Sequence, residues 1–297
     1  MTLLPGRKEN KVAIDRVRFR RTLPTEKGRK ENSVAIELFS IGTELVIGQI
    51  QDTNAHWLAQ QILQLGGELR RVTMLRDDFN EMHEALSSAV DRETSLILMT
   101  GGLGPTPDDM TVAVVAELIG KKVVVSDETV AYFRERRNMP ENEELSEALL
   151  KMATMPETAD VFQNPEGWAP CIRVTQQQST LMLMPGPPRE MKAIFEAHVA
   201  PLIAERYSAE VATARVYVTM FEAAVSPLMQ KVMERHPNVY LKAYVSLRKA
   251  DGDTMPVDLV STSRDGADAD AQLKCAIDYF RELVAETGNL FSLEGES

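Results

Sequence analysis

Two adjacent carboxylates, Asp108 and Asp109, follow closely on three glycines, Gly101, Gly102 and Gly104, in the stretch LILMTGGLGPTPDDMT from Leu96 to Thr111. Glycine lets a backbone approach a ligand closely, and a helix that starts just after such a loop offers free N–H groups and a partial positive charge. That combination binds anions. A carboxylate beside a phosphate repels it unless a cation lies between them. Magnesium fills that role, because it takes one or two carboxylates together with phosphate oxygens. The stretch therefore predicts a phosphorylated ligand with a divalent metal. One aspartate could instead cap the following helix, the reading a plain tight turn would give.

These residues need elements to position them. Leu96-Ile97-Leu98-Met99 is a short apolar run that breaks into glycine and proline, so it reads as a buried strand. Met110, Ala113, Val114 and 116–118 have helical spacing, and Gly120 stops that helix. Upstream, the same unit occurs twice. A strand at 34–41 ends in Gly42-Thr43-Glu44. Asp52 or Asn54 then caps a helix whose inner face is Leu58, Ile62 and Leu65. A strand at 69–75 ends in Asp77-Asp78, before a helix at 79–90 with Phe79, Met82, Leu86 and Val90 on one face. Strands alternating with helices imply a three-layer, mostly parallel α/β sheet with helices on both faces. Right-handed crossovers put every strand's carboxyl end on one edge, where such sheets bind ligands. Glu44, Asp52, Asp78 and the 101–109 loop are therefore expected to converge on one rim.

Downstream, 122–125 reads as a strand, 127–137 and 142–153 as helices with solvated polar faces, and 171–175 with 180–184 as a hairpin. Pro185-Gly186-Pro187-Pro188-Arg189-Glu190 turns the chain into a helix bearing Ile194, Phe195, Val199 and Leu202, with prolines where a helix start tolerates them. Arg189 would either meet a phosphate or lie solvated, and Trp168 is expected to pack. After Tyr207 the pattern becomes βαββα, a small α+β module that is KH-like in element order. It lacks a GxxG clamp, which argues against RNA binding. A role in dimerisation or as a lid is expected of it. The domain reading is a basic extension at 1–32, a nucleotide domain at 33–208 and the KH-like domain at 209–297.

Composition is that of a soluble globular chain: 297 residues, 44% hydrophobic and 26% charged. No apolar run reaches the roughly 18 residues of a membrane span, so no membrane association is expected. Cys171 and Cys275 are far apart, and the four histidines are scattered. Neither a disulfide scaffold nor a zinc cluster is expected, and a cytoplasmic setting is. Residues 1–32 hold ten Lys/Arg against four Asp/Glu, while the remainder holds 23 against 40. An acidic body is a poor nucleic-acid partner. The basic start contains a near repeat, GRKENKVAID at 6–15 and GRKENSVAIE at 28–37. It reads as a flexible tail or a duplicated edge strand.

Three segments, GTELVIGQIQDTNAHWLAQQI (42–62), TGGLGPTPDDMTVAVVA (100–116) and PGPPREMKAIFEAHVAP (185–201), resemble the N-terminal part of the competence/damage-inducible CinA family, within the molybdopterin-binding (molybdenum-cofactor biosynthesis) domain superfamily. The resemblance covers 34–205, and the KH-like module matches the family's domain order. The chain departs from the pattern at Gly167-Trp168-Ala169-Pro170-Cys171, where the family has a GTAPG-like loop. The family's C-terminal nicotinamide-mononucleotide deamidase domain is expected to be absent.

The resemblance implies hydrolysis of ADP-ribose or a related nucleotide diphosphate, with magnesium or another divalent cation and, by family likeness, potassium. Asp109, Asp108 and Glu44 would be catalytic, with Asp108 and Asp109 also the metal ligands. Gly42, Thr43, Thr100, Gly101, Gly102, Gly104, Pro105, Thr106 and Thr111 would hold the substrate, its phosphates on glycine amides and threonine hydroxyls. Asp52 and Asn54 would orient metal or ribose, and Pro185, Gly186 and Glu190 would close the far side. The partner is a nucleotide or pterin small molecule, and a homo-oligomer, a dimer first, is expected. The alternatives are a molybdopterin-binding or adenylylating protein and a non-catalytic binding protein.

Overall fold

The structure is a computed structural model describing residues 35–140, 143–207, 209–247, 254–263 and 267–295. The chain divides into two compact units after residue 208. The basic extension expected at 1–32, with the first copy of the repeat, lies outside the described residues.

The unit before residue 209 runs β1 (Ala35–Ile41), α1 (Thr43–Val46), α2 (Thr53–Gln64), β2 (Glu68–Leu75), α3 (Phe79–Asp91), β3 (Leu96–Thr100), α4 (Thr111–Leu118), β4 (Val123–Val125), α5 (Asp127–Arg137), α6 (Glu147–Met152), β5 (Thr154–Pro156), β6 (Asp160–Phe162), β7 (Cys171–Gln176), β8 (Ser179–Met184), α7 (Pro188–Ile194), a π-helical turn (Phe195–Val199) and α8 (Ala200–Arg206). Its main sheet has the order β2-β1-β3-β8-β7-β6. The first four strands are mutually parallel, and β7 and β6 continue the sheet antiparallel. The α/β class read from the sequence is the one observed.

Alternation along β1 shows why both faces must be covered. Ile36 and Leu38 pack under α2, α7 and α8, while Phe39 and Ile41 pack under α3 and α4. A strand buried on both faces is continuously apolar, as β3 is. The one charge inside β1, Glu37, is buried and held in a bidentate pair by Arg92, at 3.1 and 2.7 Å, with Thr94 donating at 2.8 Å.

Three local expectations change. The helix expected over 142–153 is confined to α6, Glu147–Met152, with Ser146 as its cap. The helix after Pro188 is interrupted by the π-helical turn just before Pro201, which has no N–H to continue the ladder. The extra residue rotates the apolar face by one position, so Ile203 is fully buried and Leu202, expected inward, is only partly so. The two short strands β5 and β6 carried too few residues to stand out in the sequence. β5 pairs with β4 as a separate ribbon.

The unit from residue 209 contains β9 (Glu210–Val218), α9 (Glu222–Arg235), β10 (Val239–Ala243), β11 (Met255–Ser263), α10 (Ala269–Glu286) and β12 (Phe291–Leu293). The sheet is antiparallel in the order β10-β11-β9-β12. The βαββα order is present, with β12 added. Both helices pack on one face, over Val216, Val218, Leu241, Val257 and Leu259.

Candidate functional site

The parallel strands β1, β3 and β8 bring three turns to one sheet edge. Ser40 pairs with Thr100, and Thr100 with Met184, so the chain leaves all three strands at one level. The turns that follow contain Gly42, Gly101 with Gly102, and Pro185 with Gly186. The Gly101 amide donates to the Met184 carbonyl at 3.0 Å. Gly101 itself has φ +101°, and a Cβ there would lie 2.2 Å from the Ile41 carbonyl oxygen, so only glycine fits. On its other side the Cα of Gly101 would lie 3.5 Å from a Cβ at Gly186. Asn54, in the first turn of α2, ties down the third turn: its Nδ2 donates to the Gly186 carbonyl at 2.7 Å. The glycines singled out in the sequence therefore meet.

The loop between β3 and α4 is built around Thr106. Asp109 Oδ2 accepts from the Thr106 amide at 2.8 Å and from its hydroxyl at 2.6 Å, and Asp108 Oδ1 lies 2.5 Å from the same hydroxyl. The Thr106 hydroxyl beside Asp108 holds that carboxyl below its ordinary range, and the charge of Lys151 adds to the effect. Asp109 folds back over Gly104, where a Cβ would lie 2.6 Å from Oδ2. Buried Leu103 anchors the loop in the core, and buried Thr111 donates to the Gly101 carbonyl at 3.0 Å. Pro105, Thr106 and Asp108 are exposed. Neither aspartate caps α4. Its N-cap is Met110, and no side chain bonds there. The Thr111 amide donates to the Gly102 carbonyl at 3.2 Å, and with no side-chain cap the next amides of the α4 start stay open to another acceptor.

The other predicted residues divide. Asp52 caps α2, its Oδ1 accepting from the Ala55 amide at 2.9 Å. Asp52 Oδ2 and Asn54 Oδ1 are buried atoms with no hydrogen-bond partner, a state that calls for an explanation. Asp78, in the β2–α3 turn, caps α3, accepting from the Glu81 amide at 3.0 Å. Its neighbour Asp77 bonds the turn after β1, accepting from the Thr43 amide at 2.8 Å and from its hydroxyl at 2.9 Å. Glu44 lies back over Gly42. Among the described residues no three His, Cys, Asp or Glu side chains gather into a metal-holding group, so Glu44 does not join Asp108 and Asp109. Glu190 turns toward the 164–170 loop, where its Oε2 accepts from Asn164 Nδ2 at 2.8 Å. Arg189 pairs with Glu166.

Four contributors were missed in the sequence. Lys151 donates to the Thr106 carbonyl, although its helix read as a solvated surface. Asn164 uses its whole amide, donating to Ala169 and Glu190 and accepting from the amides of Glu166 and Gly167. Arg136 clamps the same loop through the carbonyls of Asn164, Pro165 and Gly167. Asp77 stood beside the residue that was chosen. Trp168 packs, as expected: its ring meets Phe133 edge-on at 5.4 Å, with Arg136 and Arg137 at 4.7 and 4.8 Å from its centroid. Burial pushes the Cys171 thiol up to about 12, so it is no nucleophile.

Glycine turns and paired carboxylates at the carboxyl edge of a parallel sheet define an α/β small-molecule-binding domain. Residues 37–205 match the family described as "Probable molybdopterin binding domain", and the chain belongs to that family, in its CinA N-terminal form. A Pyrobaculum calidifontis relative, named only "Protein", is 34% identical over 255 residues, covering 83% of this chain and 94% of its own. A "Putative competence-damage inducible protein" of Caldicellulosiruptor saccharolyticus is 33% identical over 215 residues, 70% of this chain and 50% of its own. The crystal structure described as "the protein CinA with unknown function from Thermoplasma acidophilum" superposes with a TM-score of 0.54 at 28% identity, over 58% of this chain and 99% of that one. Among the described residues, no helix is long and apolar enough to cross a membrane.

Proposed function

We propose that the chain hydrolyses the pyrophosphate of ADP-ribose or a related nucleotide diphosphate, with a divalent cation. The observation that carries this reading is the pair of carboxylate oxygens at 2.5 and 2.6 Å from the single Thr106 hydroxyl, beside glycine turns. One hydroxyl proton cannot serve both. The excess negative charge and the hard oxygen donors fit magnesium, which Asp108 and Asp109 would hold. When bound, such an ion neutralises phosphate charge and acidifies a bound water. The chain's own residues do the rest. The turns at Gly101 and Gly186 let the backbone meet the phosphates, and the α4 start offers amides. Asp52 Oδ2 and Asn54 Oδ1 accept from ribose hydroxyls. Both Asp109 bonds use Oδ2, which leaves Oδ1 to orient or deprotonate the attacking water.

The test is incubation with ADP-ribose and magnesium, manganese or cobalt, with and without potassium, followed by chromatography for AMP and ribose 5-phosphate. No product with any ion overturns the reading.

The family match at 37–205 favours a second reading, a pterin site that binds or adenylylates molybdopterin. The two reactions differ in whether water or a pterin phosphate accepts the group. Calorimetry with molybdopterin separates them, and absence of binding removes the second.

A further inference from the structure

We propose that Lys151 is the cation that meets the ligand's phosphates, delivered to the glycine loop by a small helical lobe formed by α5 and α6. The inference rests on the phosphate-site reading above, but not on which reaction follows. Lys151 lies in the last turn of α6, and its ammonium donates to the Thr106 carbonyl. Thr106 is also the residue gripped by Asp108 and Asp109. Among the described residues, no other lysine or arginine donates a hydrogen bond to residues 101–109.

A loop carrying two carboxylates repels a diphosphate, and one divalent ion shared by both only cancels their charge. A fixed cation then adds net charge attraction to what the backbone amides supply. Lysine suits the task as a compact charge with three N–H donors. One is spent on Thr106, and two remain for a phosphate oxygen.

The lysine's placement is built. The lobe has its own core of Phe133, Leu145, Leu149 and Ala153, closed by Trp168. Ser146 caps α6, and the Thr154 hydroxyl donates to the Lys151 carbonyl at 2.6 Å, which fixes the backbone beneath the side chain. Arg136 of α5 clamps the 164–167 backbone, so the lobe is also tied to the loop beside Glu190.

The test is titration calorimetry of the full chain with ADP and with inorganic pyrophosphate, each with magnesium, on wild type, Lys151→Met and Lys151→Arg. Lys151→Met should weaken both about tenfold or more, the scale of a lost charge-assisted hydrogen bond. Lys151→Arg, which keeps the charge, should stay within about threefold. Wild-type affinity should fall with added salt more steeply than that of Lys151→Met. Should Lys151→Met not fold, Lys151→Gln takes its place. Wild-type affinity in the neutral variants, or an equal loss for uncharged adenosine, overturns the inference, as does a wild-type chain that binds neither probe. A chain that binds ADP through Lys151 yet releases no AMP from ADP-ribose sinks the hydrolase reading and leaves this one standing.

Discussion

Asp109 closes the central loop on Thr106, a single carboxylate oxygen taking both the backbone amide and the hydroxyl of a residue three positions earlier. The contact needs an oxygen acceptor, not a charge. Asp109→Asn should therefore keep the loop and the urea midpoint while losing the charge proposed to hold a cation. We expect kcat/KM on ADP-ribose with magnesium to fall about 100-fold or more, since metal charge stabilisation is worth several kcal/mol and each 1.36 kcal/mol is tenfold. Turnover at the wild-type rate would remove Asp109 from the chemistry.

Gly101 and Gly120 both have positive φ, but only Gly101 has a neighbour in the way: the Ile41 carbonyl stands where a Cβ would go, while nothing lies within 4 Å of that position at Gly120. Gly120→Ala should cost about 1 kcal/mol, the strain of alanine in that backbone region. Gly101→Ala adds a backbone collision and should cost at least about 3 kcal/mol by the same scale. Paired urea denaturation curves decide, and equal losses would contradict the packing at the β1–β3 exit.

Glu37 links stability to acidity. Burial opposes its ionisation, yet the hydrogen bonds from Arg92 and Thr94, with the Arg92 charge, outweigh burial and hold the carboxyl below its usual range. A carboxyl depressed in the folded state stabilises above its unfolded pKa and loses that contribution as pH falls through the folded value. Stability should be level above roughly pH 5 and fall below it. Arg92→Met should cost about 2 kcal/mol at neutral pH, less than a fully buried pair because the arginine is partly exposed. It should also abolish Glu37's share of the acid loss. Urea titrations from pH 3 to 7 would show both, on the range where such groups titrate.

Trp168 closes the α5–α6 core while two guanidinium groups lie against its ring. Trp168→Ala should destabilise by about 2 kcal/mol, below the 3–5 kcal/mol of a fully buried aromatic because the residue is only partly buried. Thermal unfolding measures it, and a change under 0.5 kcal/mol, the scale of an ordinary surface substitution, would mean the ring holds nothing.

Much of the first unit was legible because periodicity and punctuation agree there. Leu58 and Ile62 face inward as their spacing required, Asp52 caps α2, and the chain breaks where glycine and proline say it should. Long-range side-chain choices were not legible. Asp77 and Asp78 are equivalent in sequence, and only the geometry of the β2–α3 turn sends one to Thr43 and the other to the helix start. Lys151 lies 45 residues from its acceptor, on a helix whose composition reads as a wet surface. The rotation that buries Ile203 comes from the π-helical turn ahead of Pro201; the proline signals an interrupted ladder but not which side chain then turns inward.

The Asn54 bond to Gly186 spans 132 residues, and β3 meets β8 by pairing Leu96 with Thr180. A chain emerging from synthesis thus has two of these three turns long before the last one exists. Loop-closure entropy must be met before such distant pairings give anything back, so they form late. A ligand touching all three turns would then report that folding is finished, and its presence would favour the completed sheet over every earlier intermediate.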